Sequence, residues 1–212
     1  MRHVAAVTLV FTSGFAIMVL EIVGARYLAK DFGGSFYVWV SQIGVILAAL
    51  ALGYSIGGIL ADRWQRASRL AWLLFPAGLL TGFIPSFSPR LIDWIILRHP
   101  SGEPIPAVWQ KLDPAIGSAL VFLIPCLVLS ILPPYFIRLA TQRLTQIGRT
   151  SGLIYSSSTV GSIAGVFVSG YVLIDRMTLS KIFGMTGIVV GLLGAACLFM
   201  DRLFVEARND GE

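Results

Sequence analysis

Six apolar segments follow one another along the chain, and each is about as long as a helix that crosses a bilayer. A membrane-spanning helix needs about 20 consecutive apolar residues. Because lipid offers no water to unpaired backbone groups, spans of this kind are helical. The sequence therefore predicts an all-α integral membrane protein with six transmembrane helices and a short cytoplasmic tail. The predicted spans cover about residues 4–27, 36–61, 70–87, 114–135, 151–174 and 180–200, and the tail covers 201–212.

The composition excludes an ordinary soluble domain. Hydrophobic residues make up 56% of the 212 residues and charged residues only 13%, whereas a soluble domain carries about 25% charged residues. The basic residues behind the net charge of +5 flank the spans, so this charge indicates contact with the headgroups of the lipid bilayer. A nucleic-acid partner is not expected, because the sequence has no soluble basic domain.

The arginines of the loops predict the orientation of the chain. Lys and Arg are more frequent in the cytoplasmic loops of membrane proteins. If the N-terminus is cytoplasmic, two inside loops carry three arginines each and a single acidic residue, Asp62. The sequence therefore predicts a multi-pass protein of the cell inner membrane, with both termini in the cytoplasm. These arginines are Arg63, Arg66, Arg69, Arg138, Arg143 and Arg149.

A short pattern occurs twice, at the ends of the second and fifth spans. Gly57 precedes Asp62-Arg63 by five residues, and Gly170 precedes Asp175-Arg176 by the same distance. Three spans separate the copies, so the copies face opposite sides of the membrane. This arrangement is typical of an inverted 3+3 repeat, although a pattern this short also arises by chance.

Prolines predict irregularities around the fourth span. Pro125 should kink this span, and Pro133-Pro134 should end its regular helix. The following segment, Ile137 to Ile147, is predicted to be amphipathic and to lie at the membrane surface. Another short surface helix is predicted at Leu91–Leu97, in the longest link between spans.

Glu21 is the acidic residue within the first apolar run, Val4 to Gly24. A carboxylate deep in a membrane helix costs at least about 2.5 kcal/mol, so it is retained where it faces a partner or a water-filled cavity. Two interpretations stay open. Glu21 binds a proton or an amine cation within the membrane, or it is a buried acid bonded to another helix.

Five consecutive hydroxyl residues open the fifth span, and Gln42 lies within the second. Consecutive positions cover all faces of a helix, so some of these hydroxyls must face protein. They either line a polar cavity near Glu21 or form hydrogen bonds between helices, each worth about 0.6 kcal/mol. The five residues are Tyr155, Ser156, Ser157, Ser158 and Thr159.

Three pairs of glycines four residues apart lie on the second, fifth and sixth spans. Glycines at this spacing let two helix backbones approach closely. They predict tight helix packing, with a sliding interface as the alternative. The pairs are Gly53 with Gly57, Gly161 with Gly165, and Gly187 with Gly191.

The sequence contains no pattern typical of a metal site, a cofactor site or a catalytic centre. Cys126 and Cys197 lie in apolar runs and are spaced like neither a metal site nor a disulfide framework. His3 and His99 are the only histidines in the sequence, and both are predicted to lie outside the bilayer. No cofactor, metal ion or catalytic residue is therefore expected.

The second span ends in Gly58-x3-Asp62-Arg63-x-x-Arg66. This segment resembles the loop between helices 2 and 3 of the major facilitator superfamily of transporters. The resemblance implies that Asp62, Arg63 and Arg66 pin helix ends together and control opening. The family usually has a glycine where this chain has Gln65.

Three stretches resemble the membrane portion of the fused transporter-like and spermidine synthase family. They are Gly14 to Arg26, Leu47 to Arg63 and Gly148 to Leu173, and Ser158 stands where the family typically has asparagine. The family normally continues into an aminopropyltransferase domain. This chain has no G-x-G-x-x-G pattern after a strand, so that chemistry is not expected of it alone.

Three functions follow from these patterns. The leading hypothesis is a non-catalytic membrane subunit or anchor that packs with other membrane subunits or with itself. The second is a transporter of polyamines or other small cations that works as a dimer of six-span halves. The third is the membrane half of a split spermidine synthase-like enzyme, whose chemistry a partner chain would supply.

Overall fold

The computed structural model describes residues 2–34, 36–100, 105–141 and 146–209, with the side chains of Arg2 and of residues 202–209 left out. All regular structure within these ranges is helical. The described ranges contain nine α-helices joined by short links, among them a 3₁₀ turn at Ala67–Leu70 and a π turn at Ser169–Leu173. The α-helices are α1 (Arg2–Phe32), α2 (Phe36–Trp64), α3 (Ala71–Gly82), α4 (Ile84–Ile96), α5 (Ala107–Ser130), α6 (Leu132–Ala140), α7 (Ile147–Val168), α8 (Ile174–Arg176) and α9 (Leu179–Asn209).

Among the described residues, five continuous helical segments are long and apolar enough to cross a membrane, and the bent pair α3–α4 would make a sixth span. The prediction of a helical chain with several helices able to span a membrane is therefore confirmed for this part of the sequence. The most apolar parts of α1 and of α5–α6 are 56% and 61% buried, whereas those of α2 and α7 are 22% buried each. The bundle thus has α1 and α5 at its centre and α2 and α7 at its periphery.

The predicted third span, 70–87, is not one straight helix. The helical segment Ala67–Gly82 is followed by a break at Phe83, and α4 then runs at an angle of 70° to that segment. Pro85 in the first turn of α4 explains the break, because proline has no N–H to give to the preceding turn. A short surface helix was predicted at Leu91–Leu97, but most of this segment belongs to a longer helix, α4, which starts at Ile84.

Pro133 and Pro134 were predicted to end the helix of the fourth span, and this prediction is wrong. The helical hydrogen bonding is interrupted only at Ile131, whose backbone dihedrals stay helical, and the helix continues as α6 with both prolines in its first turn. Proline is tolerated in a first turn because its missing N–H would have no helical partner there. The predicted amphipathic segment, Ile137 to Ile147, includes residues 142–145, which lie outside the described residues. Arg143 is one of these residues.

Glycines set the closest helix crossing, between α1 and α7. A Cβ atom on Gly165 would lie 2.5 Å from the carbonyl oxygen of Phe15, and one on Gly161 would overlap the carbonyl oxygen of Phe11. Any larger residue would push the helices apart. Residue numbers increase in the same direction along both helices, from Phe11 with Gly161 to Phe15 with Gly165, so α1 and α7 run parallel.

A second crossing of the same kind joins α2 and α5. A Cβ atom on Gly53 would lie 2.5 Å from the carbonyl oxygen of Leu127, and one on Gly57 would lie 2.6 Å from that of Ile131. The hydroxyl of Ser130 also donates to the carbonyl oxygen of Ala49 across this crossing, at 3.1 Å. These two helices are parallel as well.

The third crossing joins α3 and α9 and is antiparallel. A Cβ atom on Gly78 would lie 2.8 Å from the carbonyl oxygen of Gly187 and 2.9 Å from the amide nitrogen of Gly191. One on Gly187 would lie 2.6 Å from the carbonyl oxygen of Gly78 and 2.7 Å from the amide nitrogen of Gly82. Both helices thus contribute two glycines to one close contact.

Gln65, in the turn after α2, has a φ angle of 53°, which is the left-handed region that favours glycine. We expect Gln65→Gly to raise the free energy of unfolding by about 1 kcal/mol, because glycine has no Cβ atom to clash with the backbone in this conformation. Thermal unfolding of the detergent-solubilised protein measures the effect. Gln65→Ala is the matched control, since it keeps the strain, and equal melting temperatures for the two variants would contradict the assignment.

Candidate functional site

A buried hydrogen-bonded node joins three central helices. The fully buried side chain of Gln42 on α2 donates from Nε2 to the carbonyl oxygen of Leu20 on α1, at 3.3 Å. Its Oε1 accepts a hydrogen bond of 2.7 Å from the hydroxyl of Ser118 on α5. Every polar atom of the Gln42 side chain therefore contacts a different helix, and the node defines how α1, α2 and α5 are oriented around each other.

Gly24 on α1 makes room for this node. A Cβ atom at this position would lie 2.6 Å from Nε2 of Gln42 and 2.9 Å from the ring of Phe122. The absence of a side chain therefore lets the amide of Gln42 reach the backbone of α1. Sequence reasoning singled out Gln42 but not Ser118 or Gly24, because a serine and a glycine within apolar spans carry no signal of their own.

Glu21 follows Leu20 on α1, so it lies directly beside the node. Its side chain is half-buried, and it forms no hydrogen bond or ion pair with any described residue. Arg26, five residues further along α1, is exposed. Within the described part of the chain, Glu21 is thus a carboxyl group in a membrane helix that no side chain neutralises.

The hydroxyl run of α7 divides between two faces of the helix. Ser157 is buried and donates to the carbonyl oxygen of Val7 on α1, at 2.8 Å. Ser156 and Thr159 are exposed, and their hydroxyls donate to carbonyl oxygens one turn earlier in α7. Tyr155 is exposed, and the backbone carbonyl of Ser158 packs against Gly14 of α1. The five hydroxyls are therefore not brought together in one polar cavity.

The end of α2 and the loop that follows it are attached to α6. Asp62, near the end of α2, forms an exposed ion pair of 2.9 Å with Arg138 on α6, and the carbonyl oxygen of Arg66 accepts a hydrogen bond of 2.7 Å from Tyr135 on the same helix. Arg63 is exposed, and no described residue pairs with it. The Asp62 pair is worth little on its own, because water screens it.

Asp201 on α9 contacts the same loop. Its Oδ1 accepts a hydrogen bond of 3.0 Å from the backbone N–H of Ser68, and its Oδ2 accepts one from the Ser68 hydroxyl. This contact was not predicted from the sequence. It joins two residues that are far apart in the chain, and neither lies in a recognisable motif.

A cluster of charged and aromatic residues connects α4 to the start of α5. Asp113 is only 4% exposed, and it pairs with the guanidinium of Arg98 and, at 2.7 Å, with Nε2 of His99. The Arg98 guanidinium lies 4.1 Å from the centre of the Trp109 ring, a cation–π contact. This cluster was not predicted from the sequence. Its one local signal is the spacing of Trp109 and Asp113, which places them on the same face of α5.

The arrangement as a whole contains buried hydrogen bonds between helices, one unpaired carboxyl group and two clusters that hold loops in place. Among the described residues, no group of three or more His, Cys, Asp or Glu side chains could hold a metal ion. Each buried polar side chain described has a hydrogen-bond partner. The geometry of the described residues is therefore that of helix packing, with Glu21 as a half-buried carboxyl group beside the Gln42 node. No family model, no curated protein and no solved structure matches the chain.

Proposed function

We propose that this protein is a non-catalytic integral membrane subunit that packs against a second six-span unit through the outward faces of α2 and α7. The observation that carries the proposal is a row of small residues on the exposed face of α2. Gly44, Ala48, Ala51 and Ser55 are all exposed, and they follow one another at intervals of four, three and four residues. This spacing keeps them on one side of the helix.

The row lies opposite the face by which α2 packs against α5. Large apolar residues border it, among them Leu47 and Leu52, which are 59% and 49% exposed. A smooth groove between such ridges accepts another helix at close distance. Within a single copy of the chain, nothing described fills the groove: a Cβ atom on Gly44 would have no neighbour within 4 Å.

The peripheral helix α7 has a comparable outer row. Gly152, Ser156 and Thr159 are exposed and keep the same spacing of four and three residues. The hydroxyls of Ser156 and Thr159 are bonded within α7, so both residues present a small surface that needs no water. This row offers a second surface of the same kind, and it accounts for two of the five hydroxyl residues without a cavity.

The three glycine crossings support the inverted 3+3 repeat that belongs to this proposal. In both parallel crossings, two glycines four residues apart on a peripheral helix meet two carbonyl groups four residues apart on a central helix. If the first three spans exchange places with the last three, the α1–α7 crossing takes the place of the α2–α5 crossing. The antiparallel crossing of α3 and α9 then takes its own place again. A two-fold axis in the membrane plane has this effect.

The proposal further takes α3 and α4 together as one broken span, giving six, with both termini in the cytoplasm of a cell with an inner membrane. This orientation is supported by the arginines of the α2–α3 loop and of the segment between α6 and α7. In this arrangement the chain resembles half of a major facilitator superfamily transporter. A lone half would leave the outer rows of α2 and α7 in contact with lipid.

Gly44→Leu tests the proposed contact. The leucine would fill the groove of α2, and we expect it to convert the assembly extracted in mild detergent to a monomer of unchanged helical content. Light scattering after size-exclusion chromatography measures the mass. Gly184→Leu is the matched control, because a Cβ atom there also has no neighbour within 4 Å and lies on α9. A wild-type protein that is already monomeric in native lipid discs would remove the proposal.

A second candidate function, transport of a polyamine or another small cation, is favoured by one observation. Glu21 lies within α1 beside the Gln42 node and has no hydrogen bond or ion pair among the described residues. Such a carboxyl group inside a membrane typically marks an ion pathway. On this reading the partner unit would supply the other wall of the pathway.

The transport reading predicts that Glu21→Gln abolishes uptake while the fold survives, because glutamine keeps the volume and loses the charge. Uptake of labelled spermidine into proteoliposomes measures this effect, and Arg26→Gln on the same helix is the control. If wild-type protein catalyses no uptake above empty liposomes, the subunit proposal stands alone. If Glu21→Gln transports as fast as the wild type, Glu21 has no part in transport.

A further inference from the structure

A crevice with apolar walls opens between α1, the end of α7 and α9. Its volume is about 130 Å³, and its walls include Phe15 and Val19 of α1 and Leu173 of the π turn. A water molecule occupies about 30 Å³ of liquid, but it also needs several polar partners to be stable in a cavity. The walls offer none, since the hydroxyl of Thr186 donates to the carbonyl oxygen of Ile182 within α9, at 2.8 Å.

The crevice follows one face of α9. Its wall on this helix consists of Ile182, Met185, Thr186 and Val189. From Ile182 to Val189 the helix rises by about 10 Å. An apolar space with a volume of about 130 Å³ along such a wall has room for part of a hydrocarbon chain, whereas another helix is about 10 Å across.

Two basic residues stand at one end of the crevice. Leu173 lies one turn before Arg176, and Ile182 directly follows Lys181. Both basic side chains are exposed, and neither forms an ion pair with a described residue, although Asp175 is adjacent in sequence. Basic residues at the ends of membrane helices extend toward the lipid headgroups. The apolar walls and this positive end together match the two parts of an anionic phospholipid.

The π turn at Ser169–Leu173 contributes to the shape. A π turn adds a residue to the helical ladder, so the residues after it are rotated relative to a regular α-helix. Leu173 ends this turn and faces the crevice, and Arg176 follows one turn later. Such turns are frequent at functional sites, and the present one brings an apolar residue and a basic residue to the same side.

We propose that the crevice binds one acyl chain of an anionic phospholipid, whose phosphate lies between Arg176 and Lys181. The site is separate from the outer rows of α2 and α7, so it does not depend on the proposed function. It would make this protein selective for a lipid headgroup and not merely soluble in a bilayer.

Native mass spectrometry of the purified protein titrated with phosphatidylglycerol or phosphatidylcholine tests the proposal. We expect one bound phosphatidylglycerol, retained about 30-fold better than phosphatidylcholine, as for two basic residues near an anionic headgroup. The double variant Arg176→Gln and Lys181→Gln should bind both lipids equally. Val189→Phe, or Met185→Trp at the edge of the crevice, should lose both lipids by filling the space for the chain.

Ile188→Phe is the control for bulk, because Ile188 is 66% exposed and is not part of the crevice wall. An excess of inorganic phosphate should not displace the lipid, since phosphate alone lacks the chain. The proposal is overturned if the double variant keeps the preference for phosphatidylglycerol. It is equally overturned if phosphate alone displaces the lipid, or if folded Val189→Phe and Met185→Trp both retain it.

Discussion

Gly161→Leu should abolish the folded bundle. The Cβ atom alone would overlap the carbonyl oxygen of Phe11, and no side-chain rotation relieves a clash with backbone. Overpacking a core typically costs 1–3 kcal/mol, and a leucine forced against a backbone carbonyl should cost at least about 3 kcal/mol. The measurement is the fraction of monodisperse protein that survives heating in detergent. We expect almost none for this variant at temperatures that the wild type tolerates.

Gly148→Leu is the control on the same helix, since Gly148 is not one of the residues of the proposed contact row. Gly148 is exposed, and a Cβ atom there would have no neighbour within 4 Å. The loss of glycine from a helix should by itself be favourable, because glycine is a poor helix former. A Gly161→Leu protein as heat-resistant as the Gly148→Leu protein would show that the close crossing of α1 and α7 is not present in the molecule.

Asp113→Ala should have the second largest effect, on the connection between α4 and α5. Removing the buried carboxylate leaves the guanidinium of Arg98 and the ring of His99 without their shared acceptor. Breaking a buried ion pair costs 3–5 kcal/mol, but Arg98 is partly exposed to solvent, so we expect a loss of about 2–3 kcal/mol. Thermal unfolding followed by circular dichroism measures this loss.

Asp175→Ala provides the comparison for Asp113→Ala, because Asp175 is exposed and forms no ion pair with a described residue. Its melting temperature should match that of the wild type. Asp113→Asn should fall between the two, since an amide can still accept one hydrogen bond. If the melting temperature of Asp113→Ala equals that of the wild type, the cluster does not hold α4 in place.

The sequence predicted the helical membrane class well, because the length of an apolar run is enough to indicate a span. It did not predict the break at Phe83. The apolar character continues through this position, so hydropathy shows no boundary there. Pro85 was the available signal, since a proline in a first turn separates one helix from the next. The prolines at 133 and 134 carried the same meaning and were interpreted as a helix end.

The polar contacts of the site were less predictable, for a physical reason. Gln42 was identifiable as a polar residue within a span, but its partners, the Leu20 carbonyl and Ser118, lie on helices that meet it only after packing. The glycine pairs likewise indicated close crossings without indicating which helix crosses which. The second glycine pair of the α3–α9 crossing, Gly78 and Gly82, was not recognised because α3 is short and interrupted.

The pairing of α1 with α7 has a consequence for the synthesis of the protein. A membrane protein is inserted from its N-terminus, so α1 enters the bilayer when most of the chain has not yet been translated. Phe11 and Gly14 of α1 meet their partners Gly161 and Ser158 only after about 150 further residues have been added. The nascent α1 must therefore persist without its α7 partner, held first by its apolar length and then by the contacts that α2 and α5 make with it.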